Sequence, residues 1–296
     1  MEGNTNLIKK NVLVTGAGGQ LASEIHAISQ NHPKYNFIFT NRLQLDITHH
    51  EAVQEFIDEN DIKVIINCAA YTQVDKAEEE PDLADAINHL AVGNLAQIAK
   101  NLSLKLIHIS TDYVFDGTNR NAYLENDTPN PQTVYGQSKL DGEIALQKIN
   151  PTNSIIIRTS WVYSKYGHNF VKSMLRLAKD RDTISVVSDQ IGSPTNAGDL
   201  AQAIVKLIPQ IKNDSVQVFH YSNNGVCSWY DLAKAIFEIK KLPTQVKAIK
   251  SSEYPTPAKR PSFSVLEKSK IKTVYGLNLL DWKSSLTEFL RGNSRG

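Results

Sequence analysis

A tyrosine and a lysine four residues apart, Tyr135 and Lys139, have types and spacing that could do chemistry. On a helix these two side chains lie on one face, one turn from each other. A cation beside a phenol favours the phenolate and lowers the tyrosine pKa from its usual value of about 10. The pair therefore predicts that Tyr135 donates a proton to a carbonyl group undergoing reduction. This spacing is common by chance, so the prediction depends on the elements around it.

A glycine-rich segment far upstream supplies the first of those elements. The run from Gly16 to Ala22 joins a β-branched strand pattern to a helical pattern. In a dinucleotide-binding loop, Gly16 would make the tight turn, Gly19 would let the backbone approach a pyrophosphate, and Ala22 would keep the helix close to the sheet. The helix N-terminus offers free N–H groups to phosphates. The segment favours nucleotide binding; the alternative is a glycine-rich turn without a ligand.

The end of the second predicted strand bears on which dinucleotide binds. An acidic residue there hydrogen-bonds a ribose hydroxyl, whereas an arginine accommodates a 2′-phosphate. This chain has Thr40, Asn41 and Arg42 at that point and no acid. The sequence therefore favours NADPH, and because Arg42 is equally well explained as a solvated surface charge, use of NADH stays open.

Strand and helix patterns alternate along the first half of the chain. This alternation implies parallel pairing with right-handed crossovers, and continuous apolar strands imply burial on both faces. We predict an α/β fold: a doubly wound, mostly parallel Rossmann sheet with a smaller interleaved C-terminal substrate lobe. The predicted division assigns residues 8–160 to the NAD(P)-binding domain, with 195–222 returning to it, and residues 161–194 and 223–296 to the substrate lobe.

Bulk properties narrow the class of protein. The 296 residues carry 32 Lys and Arg against 31 Asp and Glu, which argues against a nucleic-acid or membrane-surface protein. The chain has only two cysteines, too few for a disulfide framework or a cysteine metal cluster, and this is typical of a protein in a reducing compartment. The first six residues lack signal-peptide features, and no apolar run is long enough to span a bilayer. We expect a cytoplasmic protein.

Several segments together carry a resemblance to a known family. In chain order they are Thr15–Leu21, Asn67–Glu78, Ser110–Gly117, Tyr135–Lys139, Arg158–Tyr163, Asp189–Thr195, and Arg260–Pro261 with Ser264. With these segments the chain resembles the extended short-chain dehydrogenase/reductase superfamily, and within it the dTDP-4-dehydrorhamnose reductase family. The resemblance spans nearly the whole chain.

The resemblance implies hydride transfer from NAD(P)H to the C4 ketone of dTDP-4-dehydro-L-rhamnose, the final reduction in making dTDP-L-rhamnose. It implies that Tyr135 protonates the C4 alkoxide, that Lys139 lowers the pKa of Tyr135 and bonds the nicotinamide ribose, and that Thr111 polarises the carbonyl. Besides these three, the implied cofactor contacts are Gly16, Gly19, Gln20, Leu21, Arg42, Asp46, Ile47, Ala69, Ala70 and Tyr71. The implied sugar-nucleotide contacts are Thr72, Val74, Thr111, Asp112, Tyr113, Tyr135, Trp161 and Arg260.

Each of the less certain residues has a plainer interpretation. Thr111 is also explained as a buried, hydrogen-bonded hydroxyl at the end of a strand. Trp161 is also explained as a core aromatic residue, and Asp112 as a residue that caps a turn. Arg260 fits a surface arginine as well as a bidentate grip on the substrate's diphosphate. The long segment from Asp116 to Pro131 is typical of a lid, or of a tolerated insertion.

Some members of the family bind Mg²⁺ through acidic residues and dimerise around it. Glu24 is a candidate ligand, but the segment after Pro194 offers Asp199 where a longer glutamate would be needed. Mg²⁺ is therefore unsupported by the sequence, and both a monomer and a homodimer remain open.

Two other functions share this fold. A sugar-nucleotide epimerase or 4,6-dehydratase recycles its cofactor, but such a dehydratase carries Asp-Glu after the threonine, whereas Asp112-Tyr113 follows Thr111 here. The family also includes a non-catalytic regulatory subunit of another enzyme, and retention of Thr111, Tyr135 and Lys139 favours catalysis over that role.

Overall fold

A computed structural model describes residues 9–292. Residues 1–8 lie outside the described residues, and they include the first six residues and residue 8, where the predicted first domain begins. Residues 293–296 also lie outside them. The strands are β1 (Lys10–Thr15), β2 (Tyr35–Thr40), β3 (Ile62–Asn67), β4 (Lys105–Thr111), β5 (Ser154–Thr159), β6 (Val162–Tyr163), β7 (Thr183–Val187), β8 (Ile191–Gly192), β9 (Thr195–Asn196), β10 (Gln217–Tyr221), β11 (Cys227–Ser228) and β12 (Gln245–Ile249).

The helices alternate with the strands of the first half and dominate the second. They are α1 (Gln20–Ile28), α2 (His50–Glu59), α3 (Val74–Ala77), α4 (Pro81–Asp85), α5 (Ala91–Asn101), α6 (Val134–Ile149), α7 (Phe170–Leu177), α8 (Ala197–Leu207), α9 (Trp229–Lys240), α10 (Ser269–Tyr275) and α11 (Trp282–Arg291). Among residues 9–292, no helix has the length and apolarity needed to cross a membrane.

A six-stranded sheet in the order β2-β1-β3-β4-β5-β10 forms the centre of the fold, and its neighbouring strands pair in parallel. The chain runs outward from β1 to β2 and then crosses to the other side of β1 to make β3. Ligands of open parallel sheets bind where the order reverses in this way, outside the carboxyl ends of the strands. The predicted doubly wound parallel sheet is confirmed.

Alternating side chains of the central strands reach two separate cores. Val12 and Val14 of β1 pack in one core with α1 and α8, whereas Leu13 packs in the other with α2 and α5. Successive strand residues point to opposite faces, so a strand covered on both faces must be apolar at every position. This explains the continuous apolar runs in the sequence.

A π-helical turn over Ala86–Leu90 joins α4 to α5. The turn carries Asn88, whose buried amide pairs with the backbone N–H and C=O of Tyr71 at 2.9 and 3.0 Å. It also donates to Ser138 Oγ at 3.0 Å. The irregular turn thus ties the segment after β3 to α6, which carries Tyr135 and Lys139.

A third core lies between α7, α9, α11 and the parallel pair of β7 and β12. Strand β10 pairs with β5, and α8 packs on α1. Ile271 and Tyr275 of α10 pack with Phe219 in the first core, although the predicted division assigned their segment to the substrate lobe.

Candidate active site

A cleft of about 880 Å³ opens at the carboxyl ends of β1, β3, β4 and β5, with the start of α1 in its wall. Most residues implied by the resemblance line it. They are Gly16, Gly19, Gln20, Leu21, Arg42, Asp46, Ile47, Ala69, Ala70, Thr72, Val74, Thr111, Asp112, Tyr113, Tyr135, Lys139 and Trp161.

The glycine-rich loop brings bare backbone to this cleft. Gly16 has a φ of +74°, and a Cβ there would lie 2.8 Å from the backbone N of Ala69. Gly19 caps α1 without a side-chain hydrogen bond, so the first N–H groups of the helix keep no side-chain partner at the cap. Free N–H groups and a positive dipole end suit an anion, so the loop fits the pyrophosphate of a dinucleotide.

The segment after β2 supplies charged residues beside the nucleotide loop, where the N–H of Ala17 donates to the carbonyl oxygen of Thr40 at 2.9 Å. Arg42 Nε lies 3.1 Å from Asp46 Oδ2, and the Arg42 side chain is 72% exposed. Burial raises the pKa of Asp46, but hydrogen bonds from Thr48 and the guanidinium of Arg42 outweigh this and hold it below its usual value. Arg42 is therefore accessible to a phosphate, with Asp46 as its present partner.

Thr111 ends β4, and Tyr135 lies in the first turn of α6, where Thr133 caps the helix by accepting from the N–H of Gly136. The hydroxyl of Thr111 donates to Asp112 Oδ1 at 3.1 Å and accepts from the N–H of Tyr113 at 3.2 Å. The rings of Tyr113 and Tyr135 meet edge to face, with centroids 5.5 Å apart. The fold thus collects these hydroxyl groups on one wall of the cleft.

The expected lowering of the Tyr135 pKa by Lys139 is wrong in this structure. Burial raises the pKa of Tyr135 to about 12; a hydrogen bond with Thr111 opposes this rise, and the charge of Asp112 adds to it. Lys139 instead donates from Nζ to the carbonyl oxygen of Ile109 at 2.7 Å. Tyr135 is consequently protonated at neutral pH and able to act as a proton donor.

Lys139 is almost fully buried beneath the cleft. Burial lowers its pKa to about 8, against the charge of Glu143, which raises it. Besides its bond to Ile109, its Nζ lies 3.3 Å from Nε2 of His108. The lysine is thus held at a fixed place and titrates not far from neutral pH.

Trp161 and Asp112 also line the cleft. Trp161 has a φ of +49°, rare for a bulky residue, and its ring stacks on Trp229 with centroids 3.6 Å apart. Burial raises the pKa of Asp112 to about 6, against a lowering hydrogen bond from Ser264. Its second carboxylate oxygen has no hydrogen-bond partner within residues 9–292. A stacked aromatic wall and a buried acceptor suit a sugar or a base.

Three residues singled out from the sequence do not line the cleft. Tyr71 donates its hydroxyl to Glu80 at 2.6 Å, because the Asn88 amide holds its backbone in that orientation. Arg260 forms an ion pair with Asp75 at 2.6 Å. Neither side chain lines the cleft, and the contacts of Tyr71 with cofactor and of Arg260 with diphosphate stay predictions.

Glu24, the candidate Mg²⁺ ligand, is the third. It accepts a hydrogen bond from Ser164 Oγ at 2.6 Å and is buried. Asp199 accepts from Asn223 at 2.8 Å and from Ser285. Throughout residues 9–292, no cluster of three or more His, Cys, Asp or Glu side chains is placed to hold a metal ion.

Known proteins of similar sequence support a reductase family for this chain. The family model for the RmlD substrate binding domain matches residues 10–294. A dTDP-4-dehydrorhamnose reductase of Aggregatibacter actinomycetemcomitans is 42% identical over 285 residues, which cover 93% of this chain and 96% of the relative. The chain belongs to the dTDP-4-dehydrorhamnose reductase family. The family predicted from the sequence segments is confirmed.

Solved structures of family members superpose closely on this fold. The dTDP-4-dehydrorhamnose reductase of Clostridium acetobutylicum has a TM-score of 0.90 at 41% identity, covering 95% of this chain and 98% of that one. The enzyme of Bacillus anthracis, solved in complex with NADP, has a TM-score of 0.91 at 39% identity, covering 96% and 100%.

The sequence analysis missed some residues of the cleft. Ala17 and Cys68 lie inside the predicted segments but were given no role, and Ile109 directly precedes the segment that begins at Ser110. Gly167 and His168 had no such signal. Their loop is brought to the nucleotide loop by a hydrogen bond from Asn169 to Gln20 at 2.9 Å, a contact across 149 residues.

The long segment from Asp116 to Pro131 does not line the cleft. Its Tyr123 is buried and stacks on Phe115 with centroids 4.2 Å apart. The backbone of Tyr123 also pairs with Val265 and Glu267, at 2.8 Å each. Of the two interpretations, these anchors favour an ordered insertion over a mobile lid.

Proposed function

We propose that this protein reduces the C4 ketone of dTDP-4-dehydro-L-rhamnose with NADPH, with NADH as a second donor, in the synthesis of dTDP-L-rhamnose. One observation carries the proposal: Thr111, Tyr135 and Lys139 line the same cleft as the glycine loop. The chain also shares about 40% of its residues with reductases of that name over nearly its full length.

The residues of the cleft fit the dinucleotide that the reaction needs. Gly16 leaves no room for a side chain against Ala69, and the first turn of α1 offers N–H groups for the pyrophosphate. Asp46 and Ile47 would flank the adenine, Arg42 would meet a 2′-phosphate, and the remaining predicted contacts would line the nicotinamide half. The bound cofactor supplies the hydride for C4 of the sugar.

The chain itself supplies the proton and the orientation. A phenol with a pKa of about 12 stays protonated at neutral pH, and a developing alkoxide is basic enough to take its proton. The ammonium of Lys139, one helical turn away, would stabilise the resulting phenolate and bond the nicotinamide ribose. Thr111 would donate to the ketone oxygen once its hydroxyl turns from Asp112.

The other end of the cleft would bind the sugar nucleotide. Thr72, Val74 and Tyr113 would contact it beside the Trp161–Trp229 stack, and the unpaired oxygen of Asp112 would accept a sugar hydroxyl. Arg260 pairs with Asp75 through Nη2, and its Nη1, which has no hydrogen-bond partner within residues 9–292, would donate to the diphosphate. We place the reaction in the cytoplasm, where a charged sugar nucleotide would be made, and the enzyme in the form of a monomer or a homodimer.

The test is NADPH oxidation with dTDP-4-dehydro-L-rhamnose, followed by the loss of near-ultraviolet absorbance, with and without Mg²⁺. We expect Tyr135→Phe to lower kcat by about 10²–10⁴-fold, the usual contribution of a general acid. Tyr254→Phe, at a tyrosine that is 62% exposed, is the matched control and should keep wild-type activity. Tight NADPH binding without net oxidation would overturn the proposal, because an epimerase, a dehydratase or a regulatory subunit consumes no reduced cofactor.

A further inference from the structure

A row of polar side chains crosses the apolar sheet behind Lys139. Thr15, Asn67 and His108 lie on the adjacent strands β1, β3 and β4, and each is the cross-strand partner of the next. All three are at most 1% exposed. Such groups are costly to bury unless each is hydrogen-bonded, so their contacts reveal what the row does.

The distances orient the amide of Asn67. The hydroxyl of Thr15 accepts from the backbone N–H of Ala69 at 3.3 Å and lies 2.6 Å from Asn67 Oδ1. A separation of 2.6 Å is typical of O–H···O and short for N–H···O, so Thr15 is the donor. The NH₂ group of Asn67 therefore faces His108 Nδ1, at 3.1 Å, and donates to it.

This orientation selects the tautomer of His108. Burial, and next the charge of Lys139, keep the pKa of His108 well below its usual value, so the ring is neutral. With Nδ1 accepting from Asn67, the ring proton is on Nε2, which lies 3.3 Å from Lys139 Nζ. An Nε2–H group pairs well with the lone pair of a neutral amine and poorly with an ammonium.

Other groups around Lys139 act in the opposite sense. The carboxylate of Glu143, one turn along α6, favours the ammonium, and Arg158 of β5 pairs with Glu143 at 2.7 Å. Burial raises the pKa of Cys68, after β3, to about 12, so its thiol is neutral where Lys139 titrates. Tyr135, one turn before Lys139, is the other titratable group beside it on α6. Burial and the Nε2–H group of His108 favour the neutral amine of Lys139, whereas Glu143 favours the ammonium. Small changes in the row of Thr15, Asn67 and His108 can therefore shift the equilibrium between these two forms.

We infer that His108, oriented by Thr15 through Asn67, is a positioning residue that controls whether Lys139 carries its charge. This deepens the proposed function, on which it rests for its catalytic consequence. The reductase needs the ammonium, so the alkaline limb of its pH profile follows the titration of Lys139. The row thus sets the highest pH at which the site works.

The test is the titration of Lys139 itself, read from ¹³Cε-lysine NMR of the full chain, with Lys139→Arg to assign the signal. In Asn67→Asp the carboxylate accepts from Nδ1–H, so Nε2 becomes an acceptor for the ammonium. We expect the midpoint to rise by about one pH unit or more. Long-range ¹H–¹⁵N spectra of His108 should show the ring proton on Nε2 in the wild type and on Nδ1 in this variant.

Asn67→Asp changes both the tautomer of His108 and the local charge, so a second variant without added charge is needed to separate the two effects. This neutral variant also serves as the test if Asn67→Asp fails to fold. Thr15→Val removes the donor that fixes the amide, so Asn67 is free to turn and accept from His108. We expect a rise of about half a pH unit or more. Thr15→Ser keeps the donor and should titrate as the wild type does.

An unchanged Lys139 titration in Thr15→Val and in Asn67→Asp, or a wild-type ring protonated on Nδ1, would overturn the inference. A failure of the proposed function has a different signature. In that case the NMR midpoints would shift as expected while the wild type oxidised no NADPH. If both hold, the alkaline limb of kcat/KM moves with the midpoint in every variant.

Discussion

The two halves of the central sheet support the cleft in different ways. Under the cofactor end, β1 and β3 are apolar except at their ends, and binding depends on glycine backbone at close range. Under the catalytic end, β4, β5 and β10 carry His108, Arg158 and His220, all buried. We therefore expect the first half to be sensitive to added volume and the second to lost charge and to pH.

The largest effect should come from the buried ion pair of the catalytic half. Arg158 and Glu143 are joined at 2.7 Å with side chains 4% and 1% exposed. Arg158→Met leaves the carboxylate of Glu143 buried and unpaired, so the free energy of unfolding should fall by about 3–5 kcal/mol. Urea denaturation of the wild type and of Arg158→Met measures this difference in the free energy of unfolding.

Two controls sharpen that result. Adding Glu143→Leu to Arg158→Met should recover most of the loss, because two apolar side chains replace the pair. Lys283→Met, at an exposed pair with Glu238, should change stability by about 0–1 kcal/mol. Equal losses at both pairs would contradict the distinction between buried and exposed charges.

In the cofactor half, Gly16→Ala should weaken NADPH binding by about a hundredfold or more, since a Cβ would lie 2.8 Å from the backbone of Ala69. Gly18→Ala is the matched control: Gly18 also has a positive φ, of +90°, but no atom lies within 4 Å of its Cβ position. Calorimetric titration with NADPH gives both constants. If the two variants bind equally weakly, backbone strain rather than close approach explains the glycine.

The pH dependence of stability should also come from the catalytic half. Burial, with the charge of Arg158, lowers the pKa of His220 to about 3 from 6.5. Between these values the unfolded chain binds a proton that the folded protein does not, so the free energy of unfolding falls as pH falls. From pH 7 to pH 5 the loss due to His220 is about 2 kcal/mol.

Two variants test the sign of this effect in urea denaturation. His220→Gln should flatten the fall between pH 7 and pH 5. Asp112→Asn should steepen it, because burial raises the pKa of Asp112 from 3.8 to about 6, so its folded form gains stability as pH falls through that range. An Asp112→Asn profile with the same slope as the wild type between pH 7 and pH 5 would show that the carboxyl is ionised throughout that range.

The smallest effect is expected at Arg42, whose side chain is 72% exposed and already paired with Asp46. Arg42→Ala should lower the preference for NADPH over NADH by roughly tenfold at low salt, and by less at high salt because the contact is screened. Competition between the two cofactors measures the ratio. An unchanged ratio at low salt would leave Arg42 as an ordinary surface charge.

The nucleotide loop could be predicted from sequence because its chemistry is local. Gly16 and Gly19 lie between one strand and one helix, and their spacing by itself predicts a turn, a close approach and a helix N-terminus. Tyr135 and Lys139 were likewise found together because one helical turn joins them. The effect of Lys139 on Tyr135 was not predictable, since it depends on burial and on the carbonyl of Ile109.

The sequence thus determined the parallel sheet, the family and the residues that act within one strand–turn–helix unit, because short-range spacing decides where such side chains point. The tertiary structure decided the rest. It stacks Trp161 on Trp229, pairs Arg260 with Asp75, and lines up Thr15, Asn67 and His108 behind Lys139. Those contacts join positions far apart in the chain, and the pKa values at the site follow from burial, which spacing along one chain does not encode.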